Sequence, residues 1–234
     1  PKPKLVKHWR YHYWAPEAPW DNHAKQSTFL SDQNRSFMDK YRLWRDDFSI
    51  WLEESHRRVE RRATEKQKAI LHAWSESAHE EIKAAYENDD LARVKDFATL
   101  FQGRASLAVP LPKDTILFEG RTTNWIRFFD GFDRKRPSST SWSLPIALAF
   151  TNDDDNEFRR VFGTCPTLFV HHFPDESVRA INIQGHAVWE EAEVLLQPGI
   201  RVQIKDCVPD VWFDRYGLDR RINVLFTSVT AIPL

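Results

Sequence analysis

From position 36 onward, apolar residues return at helical intervals. Phe37, Tyr41, Trp44, Phe48 and Trp51 stand four, three, four and three apart, which places them on one face of a helix. Asp39, Arg45, Asp46, Glu53 and Glu54 occupy the positions between them. Asn34 or Ser36 can cap the start. The helical pattern continues through His56 to Arg62, where the run of arginines is a solvated face. It then resumes along Ala69, Ile70, Ala73, Trp74, Ile82, Ala85 and Tyr86. Asn88-Asp89-Asp90 ends that helix and caps another, whose Leu91, Val94, Phe97 and Phe101 face inward. Gly103 supplies a stop. Residues 36–103 are therefore expected to be about three amphipathic helices.

Beyond Gly103 the period changes to that of strands. Leu107–Pro112 is a connector, Thr115–Phe118 a short buried strand, and Gly120 ends or interrupts it. Residues 124–133 are expected as a loop or short helix. Leu144, Ala147, Leu148 and Phe150 suit a helix that tolerates Pro145 only in its first turn. Residues 167–173, 178–184, 188–196, 201–204 and 221–229 are further strands. The sum is an α+β chain: a helical N-terminal lobe followed by a strand-rich half with one helix. Three units are expected: an aromatic arm at 1–35, a helical lobe at 36–106 and a core at 107–234.

One strand carries an unusual sequence, Val188-Trp189-Glu190-Glu191-Ala192-Glu193-Val194-Leu195-Leu196, closed by Gln197-Pro198-Gly199. Side chains alternate along a strand, so Glu191 and Glu193 would share a face, roughly 6.5–7 Å apart. Two acids at the mouth of an apolar strand suit chemistry in which positive charge develops on a sugar. The plain alternative is an edge strand protected by solvated glutamates.

Charge and composition narrow the field. With 33 basic and 34 acidic residues the net charge is −1, so general affinity for nucleic acid or an anionic membrane has no global footing. The stretch Lys7–Trp14 interleaves basic and aromatic residues as a single-strand stacking surface would, but Pro16, Glu17, Pro19 and Asp21 interrupt it. Cys165 and Cys207 form no disulfide framework and have no zinc-ligand spacing around them; both are expected as reduced thiols. His171 and His172 are adjacent on a strand and point to opposite faces, and Asp153–Asp155 lacks the calcium-loop spacing, so no metal is expected. No run reaches the ~18 apolar residues of a membrane helix.

Three features stand in one order: an arginine ending the first strand (Ile116 to Arg121), Ser139-Thr140-Ser141 running toward a helix at Ala147–Phe150, and Glu191-Ala192-Glu193 on a later strand. In this order the sequence resembles the Arg–Ser–Glu class of ADP-ribosyltransferase toxins and effectors over residues 107–234. The helices before it resemble the lobe such toxins place over the NAD site. The resemblance implies a mixed or antiparallel two-sheet core and NAD as a substrate. It also implies a glycosyltransferase that moves ADP-ribose to a target protein, with arginine as acceptor.

Cleaving the nicotinamide–ribose bond leaves an oxocarbenium-like centre, as in glycoside cleavage. A fixed carboxylate there stabilises the transition state more than the ground state. By the resemblance, Glu193 has that role, Glu191 holds the incoming nucleophile and Ser139 orients Glu193. Thr140, Ser141 and Gly120 complete the cofactor wall. Trp189 and His186 fall in the target-recognition loop, with core packing for Trp189 and a plain turn for His186 as the alternatives. An arginine's fork of donors would hold the diphosphate. The family pattern is aromatic-Arg-Gly, whereas this chain has Phe118-Glu119-Gly120-Arg121. Arg121 is the expected holder, with Arg127 or a helical-lobe arginine as substitutes, and a bulge at Gly120 would shift the register. Glu119 in the arginine's slot keeps a non-catalytic module open as an alternative. A glycohydrolase or a nucleic-acid-modifying transferase is the other. A monomer working in a reducing cytosol, after export into a host or competitor cell, completes the expectation.

Overall fold

The computed structural model describes residues 45–123, 131–151, 165–186, 192–212 and 221–233. The arm at 1–35, the expected cap at Asn34 or Ser36, Phe37, Tyr41, Arg127, the Asp153–Asp155 loop, Trp189 and Glu191 lie outside these residues.

Helix α1 (Arg45–Arg62) buries Phe48, Trp51, Ser55 and Val59, one stripe at spacings of three and four. Phe48 and Trp51 stack with ring centroids 5.4 Å apart. Ser55 Oγ accepts from the Asn182 backbone N–H at 2.9 Å, and the Asn182 amide donates to Leu52 O at 3.1 Å, which fixes α1 across a strand. Helix α2 (Glu65–Ala73) opens with a reciprocal capping box between Thr64 and Gln67. It runs through a π-helical turn, Trp74–Ala78, into α3 (His79–Glu87). Asn88 closes α3, and the Asp90 side chain caps α4 (Leu91–Ala98), as the Asn-Asp-Asp triplet predicts.

The strands are β1 (Val109–Pro110), β2 (Thr115–Thr123), β3 (Phe132–Arg134), β4 (Ser138–Ser141), β5 (Cys165–Phe173), β6 (Arg179–Asn182), β7 (Glu193–Leu196), β8 (Ile200–Trp212) and β9 (Arg221–Ala231). Helix α5 (Leu144–Ala149) separates β4 from β5. Their order is β1-β6-β7-β4-β2-β5-β9-β8-β3. Two ladders, β1-β6-β7-β4 and β2-β5-β9-β8-β3, meet at the single pair Phe118↔Ser141. The β5·β9 pair is parallel and the rest are antiparallel, so the sheet is mixed.

Several boundaries differ from expectation. Strand β2 passes straight through Gly120 in unbroken register with β5, so no bulge forms there. A Cβ on Gly120 would lie 1.7 Å from the Ala147 carbonyl oxygen, so the glycine is required by the close approach of α5. Strand β3 begins at the end of the stretch 124–133, which is expected as a loop or short helix. Strand β8 is far longer than 201–204, with register shifts at Ile204/Asp206 and Val208/Val211. Pro145 sits in the first turn of α5, as required.

Burial on both faces explains why β7 is almost continuously apolar. Val194 and Leu196 belong to the core that the two ladders share with α5. Leu195, with Ile181 and Ile183, packs beneath the helices against Trp74, Phe97 and Leu71. Glu193 lies two residues from Leu195, on the helix-covered face. No helix among the described residues is long and apolar enough to cross a membrane.

Candidate active site

Strand β7 begins at Glu193, and the residue before it sets the geometry. Ala192 is fully buried with φ +50, a left-handed conformation that a non-glycine residue adopts only under constraint. Its carbonyl accepts from the Trp142 N–H at 3.3 Å. The chain therefore turns at Ala192, immediately before β7.

Antiparallel pairing of β4 with β7 sets Ser141 opposite Glu193 and Ser139 opposite Leu195. Ser139 and Glu193 are thus diagonal neighbours on one face, and the Ser139 hydroxyl donates to Glu193 Oε1 in a short hydrogen bond. The Trp74 indole N–H donates to the same oxygen at 3.1 Å and lies 3.2 Å from Ser139 Oγ. Trp74 is 1% exposed and Glu193 7% exposed. Burial raises the Glu193 pKa; the Ser139 and Trp74 hydrogen bonds and the Lys83 ammonium oppose that shift. Lys83 stands 5.7 Å from the Trp74 ring centroid and pairs with Glu80 at 3.0 Å. The π turn, with its extra residue, fixes how Trp74 leaves the helix and meets β7. Such turns concentrate at functional sites.

The hydroxyls next to Ser139 have separate tasks. Thr140 faces the other way and donates to Val194 O at 3.0 Å. Ser141 Oγ accepts from the Ser143 N–H at 3.0 Å, shaping the entry to α5. Ser138 accepts a short hydrogen bond from Arg134.

On the adjoining strand β2, Glu119 is the centre of a buried polar cage. Arg121 pairs with its Oε1 at short range, Arg134 Nη1 reaches Oε2 at 3.0 Å, and His171 Nε2 lies 2.9 Å from Oε2. Burial, with Arg134 and Arg121 beside it, holds His171 well below its ordinary pKa. In the neutral ring that this shift favours, Nε2–H donates to Glu119 and Nδ1 accepts from the Thr227 hydroxyl at 2.7 Å. Burial and the guanidinia of Arg134 and Arg136 likewise press Arg121 down, although its side chain keeps 27% of its surface exposed. Arg134 is wholly buried, its pKa lowered to about 10 by that burial, and its Nη2 has no hydrogen-bond partner among the described residues. The Arg121 guanidinium also lies 5.4 Å from the Phe169 ring centroid.

Of the residues singled out in the sequence, the structure brings Ser139 and Glu193 together directly. Arg121 stands one strand away, engaged by Glu119, and Gly120 packs on α5. His186 lies elsewhere, its Nε2 3.1 Å from Glu60 and its ring 5.8 Å from that of His56 on α1. Sequence reasoning missed Trp74, Arg134 and His171 as polar partners. The one signal for Trp74 was its place on an apolar helix face, where a buried indole N–H must find an acceptor. His171 reaches Glu119 through the pairing of β5 with β2, whereas Arg134 comes from β3, which pairs with β8 and not with β2.

No protein-family model and no curated protein matches this sequence. Solved structures do. The ADP-ribosyltransferase Vis from Vibrio splendidus, in complex with an inhibitor, matches with a TM-score of 0.51 at 17% identity, over 87% of this chain and 86% of that one. An ADP-ribosyltransferase from Clostridium botulinum matches at 0.52 and 14%, over 79% of this chain and 95% of its own. The C3 exoenzyme of Clostridium limosum matches at 0.50 and 16%, over 79% and 94%. With helices ahead of a large mixed sheet and near-complete overlap of these chains, this protein has the fold of the ADP-ribosyltransferase toxins.

Proposed function

We propose that the protein is a mono-ADP-ribosyltransferase that cleaves NAD at the nicotinamide–ribose bond and transfers ADP-ribose to a target protein, with arginine as acceptor. The carrying observation is the pair Glu193–Ser139: a buried carboxylate at the head of β7, gripped by a hydroxyl from the neighbouring strand. A carboxylate held in this way needs no reorganisation when positive charge develops on a ribose. Ser139 and Trp74 are positioning residues, because both act on Oε1 of Glu193.

NAD is a substrate here, and what supports its diphosphate is the arginine cluster of β2 and β3. Arg134 Nη2 is a buried donor without a partner among the described residues, and Arg121 is a quarter exposed beside it. Both suit an anion with several oxygens. Glu191 takes the part of gripping the acceptor, since a carboxylate can hold a guanidinium bidentately. Vis has been solved in complex with agmatine, a guanidinium compound, which favours the same acceptor class for this chain. Trp189 and His186 are assigned to target recognition, and Thr140, Ser141 and Gly120 to the wall that supports the dinucleotide.

Labelled NAD incubated with cell lysate protein, with RNA and with water alone separates the three acceptors. Label on protein that is released by an arginine-directed hydrolase supports the proposal. Label on RNA, or nicotinamide release without transfer, replaces it with one of the other two chemistries. Glu191→Gln should abolish transfer and retain much of the hydrolysis; equal loss of both would contradict the role given to Glu191.

A second reading, a non-catalytic module on the same fold, is favoured by Glu119. Its carboxylate already engages both Arg121 and Arg134, the groups a diphosphate would need. Calorimetric titration with NAD decides between the two readings: heat of binding sustains the enzyme, and its absence leaves the module.

A further inference from the structure

His56 and Glu60 lie one helical turn apart on α1, so their side chains project together. His186 arrives from the turn after β6, where Gly185 adopts φ +87 and the His186 N–H donates to Ile183 O at 3.0 Å. One donor atom from each of the three side chains lies within 4.8 Å of the others. His186 Nε2 stands 3.1 Å from the Glu60 carboxylate, yet it is a buried atom that makes no hydrogen bond among the described residues. Its side chain is only 10% exposed, while that of Glu60 is 53% exposed and leaves a path from solvent.

We propose that His56, Glu60 and His186 bind a divalent transition-metal ion, Zn²⁺ in the first instance, which ties the helical lobe to the turn leading toward β7. Two imidazole nitrogens and one carboxylate oxygen are a known zinc donor set, with the fourth position left to water. The same set disfavours Mg²⁺ and Ca²⁺, which require mostly oxygen ligands. A simple Glu60–His186 ion pair accounts less well for the orphaned nitrogen. None of the three side chains is a hydrogen-bond partner of Glu193, whose carboxylate is held by Ser139 and Trp74.

Equilibrium dialysis of the full chain against Zn²⁺ tests the site. His72 and Glu76 offer an internal control: they have the same spacing, with 4.0 Å between their polar atoms, both exposed. One Zn²⁺ per chain should bind in the parent and in His72→Gln. Affinity should fall at least tenfold in His56→Gln, Glu60→Gln and His186→Gln. Zn²⁺ should raise the melting temperature of the parent and not of these three variants. Because Glu60 is half exposed, Glu60→Gln keeps the fold intact and decides the matter even if His186→Gln does not fold. Absence of saturable binding in the parent, or affinity unchanged in Glu60→Gln, overturns the site.

Discussion

Replacing Ser139 with alanine removes one hydroxyl from a paired strand and leaves Trp74 in place, so its effect on Glu193 can be worked out closely. The Ser139 hydroxyl and the Trp74 N–H both meet Oε1, and both favour the ionised carboxylate against burial. A hydrogen bond to a charged acceptor contributes about 1.5–3 kcal/mol and one to a neutral acceptor about 0.5–1.5 kcal/mol. Ser139→Ala should therefore cost about 1.5–3 kcal/mol where Glu193 is ionised and visibly less where it is protonated. The sign of the pH dependence follows from linkage. Folded Glu193 holds its proton above the ordinary carboxylate value, so in that window the native state binds a proton the unfolded chain has lost. Stability accordingly declines as pH rises through the window. The variant loses a bond that favours the charge, so its decline extends to higher pH than the parent's. Urea unfolding of both proteins across a pH series measures the gap directly. A gap that stays constant with pH, or narrows as pH rises, would refute the assignment of this hydroxyl to the carboxylate.

Other perturbations address the surrounding structure. Glu119→Gln strips the counter-charge from fully buried Arg134 and should destabilise by about 3–5 kcal/mol in urea unfolding; a loss under about 1 kcal/mol would show that the cage does not depend on that charge. Gly120→Ala drives a Cβ to 1.7 Å from the Ala147 carbonyl and should cost about 3 kcal/mol or more, read as a lowered unfolding midpoint. His171 stays neutral when folded, below its ordinary value of 6.5, while the unfolded chain takes up the proton as pH falls through that value. Parent stability should therefore fall with acid below about pH 6.5, and His171→Gln should flatten that part of the curve.

Much of this fold is legible from periodicity. The buried stripe of α1, the Asn-Asp-Asp break between α3 and α4, Pro145 in the first turn of α5 and the apolar strands β5 and β9 follow from local spacing. What stayed hidden depends on tertiary geometry. A short strand such as Phe132–Arg134 carries no periodic signal and exists because β8 pairs with it. The left-handed turn at Ala192 cannot be read from an alanine, since it is imposed by packing on every side. The contact of Ser139 with Glu193 was expected from the resemblance alone, and the pairing of β4 with β7 is what brings the two side chains together. Trp74, Arg134 and His171 were not: Trp74 meets Glu193 from a helix 119 residues away, His171 meets Glu119 across 52 residues, and Arg134 reaches Glu119 from β3, a strand that does not pair with β2.

Nicotinamide release at matched NAD occupancy tests most directly whether Glu193 acts at the ribose of NAD. Glu193→Gln keeps an oxygen for Ser139 and Trp74 to donate to, but removes the charge. NAD should bind it about as tightly as the parent, while nicotinamide release falls by on the order of 10²–10³. Release by Glu193→Gln at the parent's rate, with NAD bound equally well, would contradict the account.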